Sequence, residues 1–177
     1  MEREFNIIVD WRGFELHPET PKGGLELSRL FPGGNGRERE EHLQQFAAGF
    51  GIQGMRLSKK IPNTRRALGM AEFARDQGKL DTFRSRTMEA CWKEGKDIED
   101  SIVLRDLAAA SGLDPEKATI AADDPEYLSR VDALRLEASQ MQVSGIPTFV
   151  FRTERIVGCQ PYEVVAAAAL RAGARLR

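Results

Sequence analysis

Val143-Ser144-Gly145-Ile146-Pro147-Thr148-Phe149-Val150-Phe151 is the stretch on which the reading of this chain turns. A Gly, a β-branched residue and a Pro stand directly before a short apolar run. Proline has no N–H to give a sheet ladder, so it belongs at the first residue of a strand or in a turn. An X–Pro bond is also the kind of peptide bond that adopts cis at modest cost. These residues predict a strand over Thr148–Phe151 with Ile146 held at its mouth. The backbone N–H and C=O of Ile146 would then be open to an extended chain lying alongside. An ordinary turn before a strand uses the same residue types, so the neighbouring segments have to decide.

Downstream, Arg152-Thr153-Glu154-Arg155 reads as a hairpin turn without glycine and Ile156-Val157 as a second short strand. Pro161 opens a final helix, Tyr162 to Ala172. Upstream, the period is helical. Asp124-Pro125-Glu126 starts a long helix carrying Leu128, Val131, Leu134, Ala138 and Met141. Asp114-Pro115-Glu116 starts a short one. Asp100 or Ser101 caps a helix through Ala110, stopped by Gly112. Leu80 to Trp92 forms another, with Phe83, Thr87, Met88, Cys91 and Trp92 near one face, ended by Gly95. Asn63 or Thr64 caps a helix with an Ala67, Met70, Ala71, Ala74 stripe, ended by Gly78. Arg37 to Phe50 has a polar front and apolar Leu43, Phe46, Ala47 and Phe50, closed by Gly51. Met55-Arg56-Leu57 reads as a short extended segment, and Phe31 to Gly36 as a loop. At the other end, Glu4 to Trp11 is β-rich and apolar at its centre. It predicts a buried strand that continues to Leu16 and breaks at His17-Pro18. Strand, block of helices, then hairpin and helix is not a doubly wound pattern; it suits a small mixed sheet with a helical insertion.

The chain has 177 residues, 41% hydrophobic and 30% charged, enough for one domain with a core and an inserted subdomain. A net charge of -1 gives no basic excess for nucleic acid. The longest apolar run, Val164 to Leu170, is too short to span a membrane. Met1 to Phe5 carries acids and has no signal-like apolar region, so the cytoplasm is the expected compartment. The two cysteines, Cys91 and Cys159, form no Cys-x-x-Cys. A reducing compartment disfavours a disulfide between them. With His17 and His42 the only histidines, no metal-ligand spacing arises and no metal site is expected.

Several segments together resemble one family. Val9-Asp10-Trp11-Arg12-Gly13-Phe14-Glu15-Leu16-His17-Pro18, Pro62-Asn63-Thr64 followed by Ala67, Trp92-Lys93-Glu94-Gly95-Lys96-Asp97-Ile98, Gly145 to Phe151 and Val157-Gly158-Cys159-Gln160-Pro161-Tyr162 stand in the same order in proteins of one kind. They are similar to the DsbA-like thioredoxin proteins of the FrnE branch, kin to the 2-hydroxychromene-2-carboxylate isomerases and kappa-class glutathione transferases. The resemblance implies an α/β fold, a thioredoxin-like mixed sheet with a large all-helical insertion. Residues 1–20 and 143–177 would form the thioredoxin-like part and 21–142 the insertion. It implies a cis-Pro loop in which Ile146 and Pro147 bind substrate, an extended peptide or a protein thiol or disulfide. It implies disulfide oxidoreductase or isomerase activity, in the cytoplasm.

Three departures qualify the implied activity. Such proteins begin with a strand leading into a Cys-Pro-Trp-Cys-like turn and a first helix. This chain starts where their second strand lies, so the first strand–helix unit with the nucleophilic cysteine is expected to be missing, and the chain to be truncated and weakly active or inactive as it stands. Exposure of Ile7 and Val9 and low stability would follow. Cys159 stands where an Ala is usual, and Leu68 where many relatives have a His. A thiol–disulfide exchange site needs a low-pKa thiolate, commonly at a helix N-terminus, and usually a resolving thiol. Cys91 reads as core. Cys159, just before a Pro-started helix, is the candidate reactive thiol, weighed against a structural Cys in place of Ala. Arg65-Arg66 could meet an anion such as glutathione, the one cofactor the sister branches suggest; a polar helix face is the plainer reading. His17 has no obvious partner and His42 lies on a polar face, both solvated. Trp11 and Trp92 are expected in the core. Two further readings stay open: a non-catalytic peptide-binding or self-associating module, and a glutathione-dependent isomerase or transferase. An unpaired sheet edge would favour homo-oligomers; neither nucleic acid nor membrane is an expected partner.

Overall fold

Three aspartates start three helices, each by accepting the N–H groups that a first turn leaves without a partner. Asp100 accepts from Ile102 at 2.7 Å and Val103 at 3.2 Å ahead of α5 (Ser101–Ala110). Asp114 accepts from Glu116 and Lys117 at 3.0 and 3.1 Å ahead of α6 (Pro115–Ala121), with Pro115 at the first position, where no N–H is needed. Asp124 accepts from Glu126 at 2.8 Å and opens α7 (Pro125–Gln140). The computed structural model that shows this describes residues 1–30, 33, 36–152 and 154–177. The chain divides into two units, His17–Ala133 and Met1–Leu16 with Leu134–Arg177.

In the His17–Ala133 unit, α3 (Arg65–Asp76), α4 (Leu80–Trp92), α5 and α6 surround one core. Met70, Phe83 and Leu104 are its largest fully buried side chains. Ala67, Ala74, Ala90, Ala108, Ala118, Ala121 and Ala122 fill the space between them. Gly69 explains the close approach: a Cβ there would stand 3.2 Å from the Ala122 carbonyl oxygen and 3.3 Å from Leu128 Cδ2. Thr64 precedes α3 without capping it by its side chain; Asn63 Oδ1 instead accepts the Arg65 N–H at 3.0 Å. Both arginines of the expected polar face are taken by carboxylates, Arg65 by Asp132 through two bonds and Arg66 by Asp123 through three.

A small ladder that the sequence does not reveal, β1 (Leu25–Glu26) against β2 (Lys60–Ile61), joins α1 (Leu27–Leu30) to this unit. Its strands are two residues each, too short for a periodic signal. Tertiary polar contacts hold it. Glu99 Oε1 accepts the Gly23 N–H at 2.6 Å, and Lys60 Nζ donates to the Gly23 carbonyl at 3.0 Å and pairs with Asp97 at 2.6 Å. Gly24 has φ +75°, and a Cβ there would meet the Ile61 carbonyl oxygen at 2.6 Å, so only glycine fits. Met55–Leu57, expected to be extended, joins no ladder; it is tied by Gln44 Nε2 to the Met55 carbonyl and by the Arg56 N–H to the Trp92 carbonyl. On α2 (Gly36–Ala48) only Ala47 of the expected apolar stripe is buried, and Phe46 and Phe50 are exposed against each other, ring centroids 5.3 Å apart. The loop expected at Phe31–Gly36 lies mostly outside the described residues; Gly36 begins α2.

In the other unit, β3 (Thr148–Phe151) pairs antiparallel with β4 (Glu154–Val157), and α8 (Tyr162–Arg171) buries Val165, Ala168 and Ala169. Glu154 and Arg155, expected in the turn, belong to β4; Arg152 turns at φ +52°, and Thr153 lies outside the described residues. The expected buried strand at Glu4–Trp11 is not formed. Phe5 bridges Leu176, the Asn6 N–H donates to the Arg175 carbonyl, and beyond that the segment runs irregularly to Leu16. Ile8 is 94% exposed and Trp11 39%. The physical reason is pairing: among the described residues no strand lies beside this segment, and β-propensity measures fit to a neighbour rather than a backbone habit. Trp92, also expected inside, is 39% exposed; it ends α4 on the same side as exposed Met88.

Candidate functional site

The Ile146–Pro147 loop is built by contacts within its own unit. The Val143 N–H closes α7 by donating to the Ala138 carbonyl at 2.8 Å. Gln142 then turns at φ +54°. Arg155 reaches back from β4 and donates to the Met141 carbonyl and, at 3.0 Å, to Gln142 Oε1. Thr148 Oγ1 donates to the Gly145 carbonyl at 2.7 Å. The Ile146–Pro147 peptide is cis. The Gly158 N–H donates to the Pro147 carbonyl at 2.8 Å, continuing the β3–β4 register by one position. Proline cannot return that bond, so the ladder stops there. Ile146, one residue further, is 51% exposed, and among the described residues its backbone N–H and C=O make no hydrogen bond. The arrangement presents a peptide donor and acceptor next to an exposed aliphatic side chain, on a loop fixed from both sides.

Cys159 follows Gly158, one residue beyond the last rung of the ladder, and its side chain is exposed. Gln160 Nε2 donates to the Val157 carbonyl at 3.1 Å and steadies the turn into α8. Cys91, expected in the core, is half-buried on α4 in the other unit, and loss of hydration pushes its thiol up, with the Asp97 charge adding to the shift. A thiol held protonated is a poor nucleophile. His17, expected to lack a partner, sits 3.2 Å from Glu19 Oε1, while His42 is exposed on α2. No group of His, Cys, Asp and Glu among the described residues could hold a metal. No helix among them is long and apolar enough to cross a membrane.

A family model for the DSBA-like thioredoxin domain matches residues 1–169. The chain belongs to the DSBA-like thioredoxin family. No curated protein matches this DSBA-like chain. Among solved structures it is similar to a probable DsbA oxidoreductase from Streptomyces coelicolor, at 27% identity and a TM-score of 0.80, over 91% of this chain and 73% of that one. The fold is therefore the mixed α/β, thioredoxin-like DsbA fold, with its sheet material in small antiparallel ladders and its helices predominating. The kin of this DSBA-like chain are proteins of the thiol–disulfide oxidoreductase type.

Two residues of the loop escaped the sequence. Arg155 looked like a turn residue because a hairpin without glycine leaves the turn's position ambiguous. Gly158 looked like motif punctuation, yet its N–H is what holds Pro147 in register. The signal in the sequence is the glycine itself, which its φ of +81° favours.

Proposed function

We propose that this chain is a FrnE-like member of the DsbA group that docks an extended peptide, or a protein thiol or disulfide, along the Ile146–Pro147 loop. The observation that carries the reading is the exposed Ile146, whose peptide N–H and C=O are unpaired among the described residues, beside the last rung at Pro147–Gly158. A substrate strand would take those two groups, in the manner of strand addition. Exchange itself needs a thiolate to attack a disulfide sulfur and expel the other sulfur, then a second thiol to release the mixed disulfide. These 177 residues contain no Cys-x-x-Cys, so docking is proposed without robust turnover. Cys159, exposed and one residue beyond the Pro147–Gly158 rung, is the candidate thiol.

Reduction of insulin disulfides by the purified chain tests this. The expected rate stands little above the uncatalysed one, and Cys159→Ala leaves it unchanged. A rate matching an intact dithiol enzyme refutes the low-turnover reading, and loss of that rate in Cys159→Ala assigns the nucleophile. The docking half is tested separately by binding of an extended peptide, which Ile146→Gly should weaken. Cytoplasmic residence and glutathione as a co-reactant belong to the same proposal; retention on immobilised glutathione would turn it toward the isomerase or transferase branch.

A second reading has its own observation. Ile8, Val150 and Val157 are exposed, and β3–β4 is a two-stranded ladder. Open edges of this kind invite pairing between chains. A self-associating, non-catalytic module predicts concentration-dependent oligomers; a clean monomer by size-exclusion chromatography across concentrations counts against it.

A further inference from the structure

Within the His17–Ala133 unit, α2, the 54–60 segment and the turn after α4 line an open cleft of about 860 Å³. That lies in the range of about 300–1,000 Å³ typical of small-molecule sites. Its walls are fastened to one another. Gln44 Nε2 donates to the Met55 carbonyl at 2.9 Å, the Leu57 N–H to Glu40 Oε2 at 3.1 Å, and the Arg56 N–H to the Trp92 carbonyl at 2.7 Å. The Lys60–Asp97 pair, at 2.6 Å with Lys60 only 19% exposed, fixes one wall.

The charges that line it divide into used and unused. Glu40 is committed to the Leu57 N–H, Asp97 to Lys60, and Glu94 to Lys96 at 2.7 Å. Among the described residues the side chains of Arg56 and Lys59 make no hydrogen bond or ion pair, and Lys93 has only a 3.5 Å contact with Glu89 on its own helix. Opposing them among the described residues are Glu26, whose side chain makes no hydrogen bond or ion pair, and Glu40, whose bond to a neutral N–H leaves its charge in place. Leu57 and the stems of the lysines supply apolar wall beside the charges.

We propose that this cleft binds a small organic anion carrying two or more carboxylate or phosphate groups, recognised by Arg56 and Lys59 with Lys93 at the rim. The guanidinium of Arg56 suits a bidentate carboxylate or phosphate, and Lys59 acts as a point charge for the second group. This site shares no residue with the Ile146–Pro147 loop, and its test does not depend on disulfide chemistry.

The probes are citrate and inorganic pyrophosphate, titrated at fixed ionic strength into the full chain and read by calorimetry. The fluorescence of Trp92, isolated in a Trp11→Phe background, gives a second readout, because its carbonyl holds Arg56. Saturable binding of either probe, weakened about tenfold by Arg56→Gln or by Lys59→Gln and strengthened by Glu26→Gln, is the expected result. Binding of citrate alone assigns a carboxylate ligand, and of pyrophosphate alone a phosphate ligand. No saturation of either probe by about 10 mM, which corresponds to binding too weak for a built site, overturns the proposal. So does binding that all three substitutions leave unchanged. Among the described residues these exposed side chains make no hydrogen bond or ion pair, so the variants fold; circular dichroism checks this, and either cation variant alone suffices.

Discussion

The His17–Ala133 unit buries Phe83, Met70 and Leu104 almost completely, whereas the unit of Met1–Leu16 and Leu134–Arg177 leaves Ile8, Val150 and Val157 in solvent. The first has a core packed from four helices, three of them begun or backed by a local polar cap. The second rests on one hairpin, the inner face of α8 and a single bridge between Phe5 and Leu176. A fully buried apolar side chain contributes about 1.5–3 kcal/mol, so the contrast is one of energy as well as shape. Stability lies in the helices, and the proposed docking loop lies in the thinner unit. Loops that bind tend to sit where local opening is easy.

The sharpest way to break that contrast is Phe83→Ala. It should destabilise the helical unit by about 3–5 kcal/mol in urea denaturation. A loss below about 1 kcal/mol would mean that the core does not carry the unit. Next comes Asp100→Ala, which strands two N–H groups at the start of α5 and should cost about 1 kcal/mol, with Asp100→Asn restoring most of it. The Lys60–Asp97 pair should follow pH. The hydrogen bond to Asp97, aided by the Asp97 and Glu99 charges, raises the Lys60 pKa against its hydration loss. A raised folded pKa gives stability that is whole below the unfolded value, about 10.4, and lost as pH rises through the folded one. Wild type and Lys60→Met should therefore differ most in Tm near pH 8 and converge in strong alkali; a gap that widens with alkali contradicts the assignment. The smallest effect belongs to the exposed segment: Ile8→Ser should change stability by less than about 0.5 kcal/mol. A larger loss would show that the N-terminal segment packs. Thiol labelling sharpens the same comparison, since exposed Cys159 should react with a disulfide reagent well before desolvated Cys91.

What the sequence made legible was what is decided locally. Asp100, Asp114 and Asp124 announce their helices because a cap and its N–H groups lie within three residues of one another. Pro147 announces the strand mouth because its missing N–H acts at its own position. What was hidden depends on partners far along the chain. Ile7-Ile8-Val9 reads as strand by composition, but its ladder depends on a neighbour that composition does not reveal. The β1–β2 pair exists because Glu99 and Lys60 grip Gly23 from about seventy-five and thirty-five residues away. Trp11 and Trp92, expected inside, are 39% exposed each, as large aromatic residues are often only partly covered. The cleft of Arg56 and Lys59 left no motif, because what matters is which neighbouring acids are already spent.

The alanine filling of the helical core has a consequence for how this protein can change. A side chain that is already a single methyl leaves little to remove, so trimming Ala108 or Ala118 to glycine creates scant void, and its cost of about 0.5–1 kcal/mol comes from the helix backbone. Enlarging either to leucine would force a neighbour off its seat, at about 1–3 kcal/mol. With a Cβ at Gly69 tight against the Ala122 carbonyl oxygen, at 3.2 Å, the helices are spaced by the smallest residues available. At these alanine and glycine positions, change is limited by size, and growth costs more than loss; at Phe83 the order is reversed.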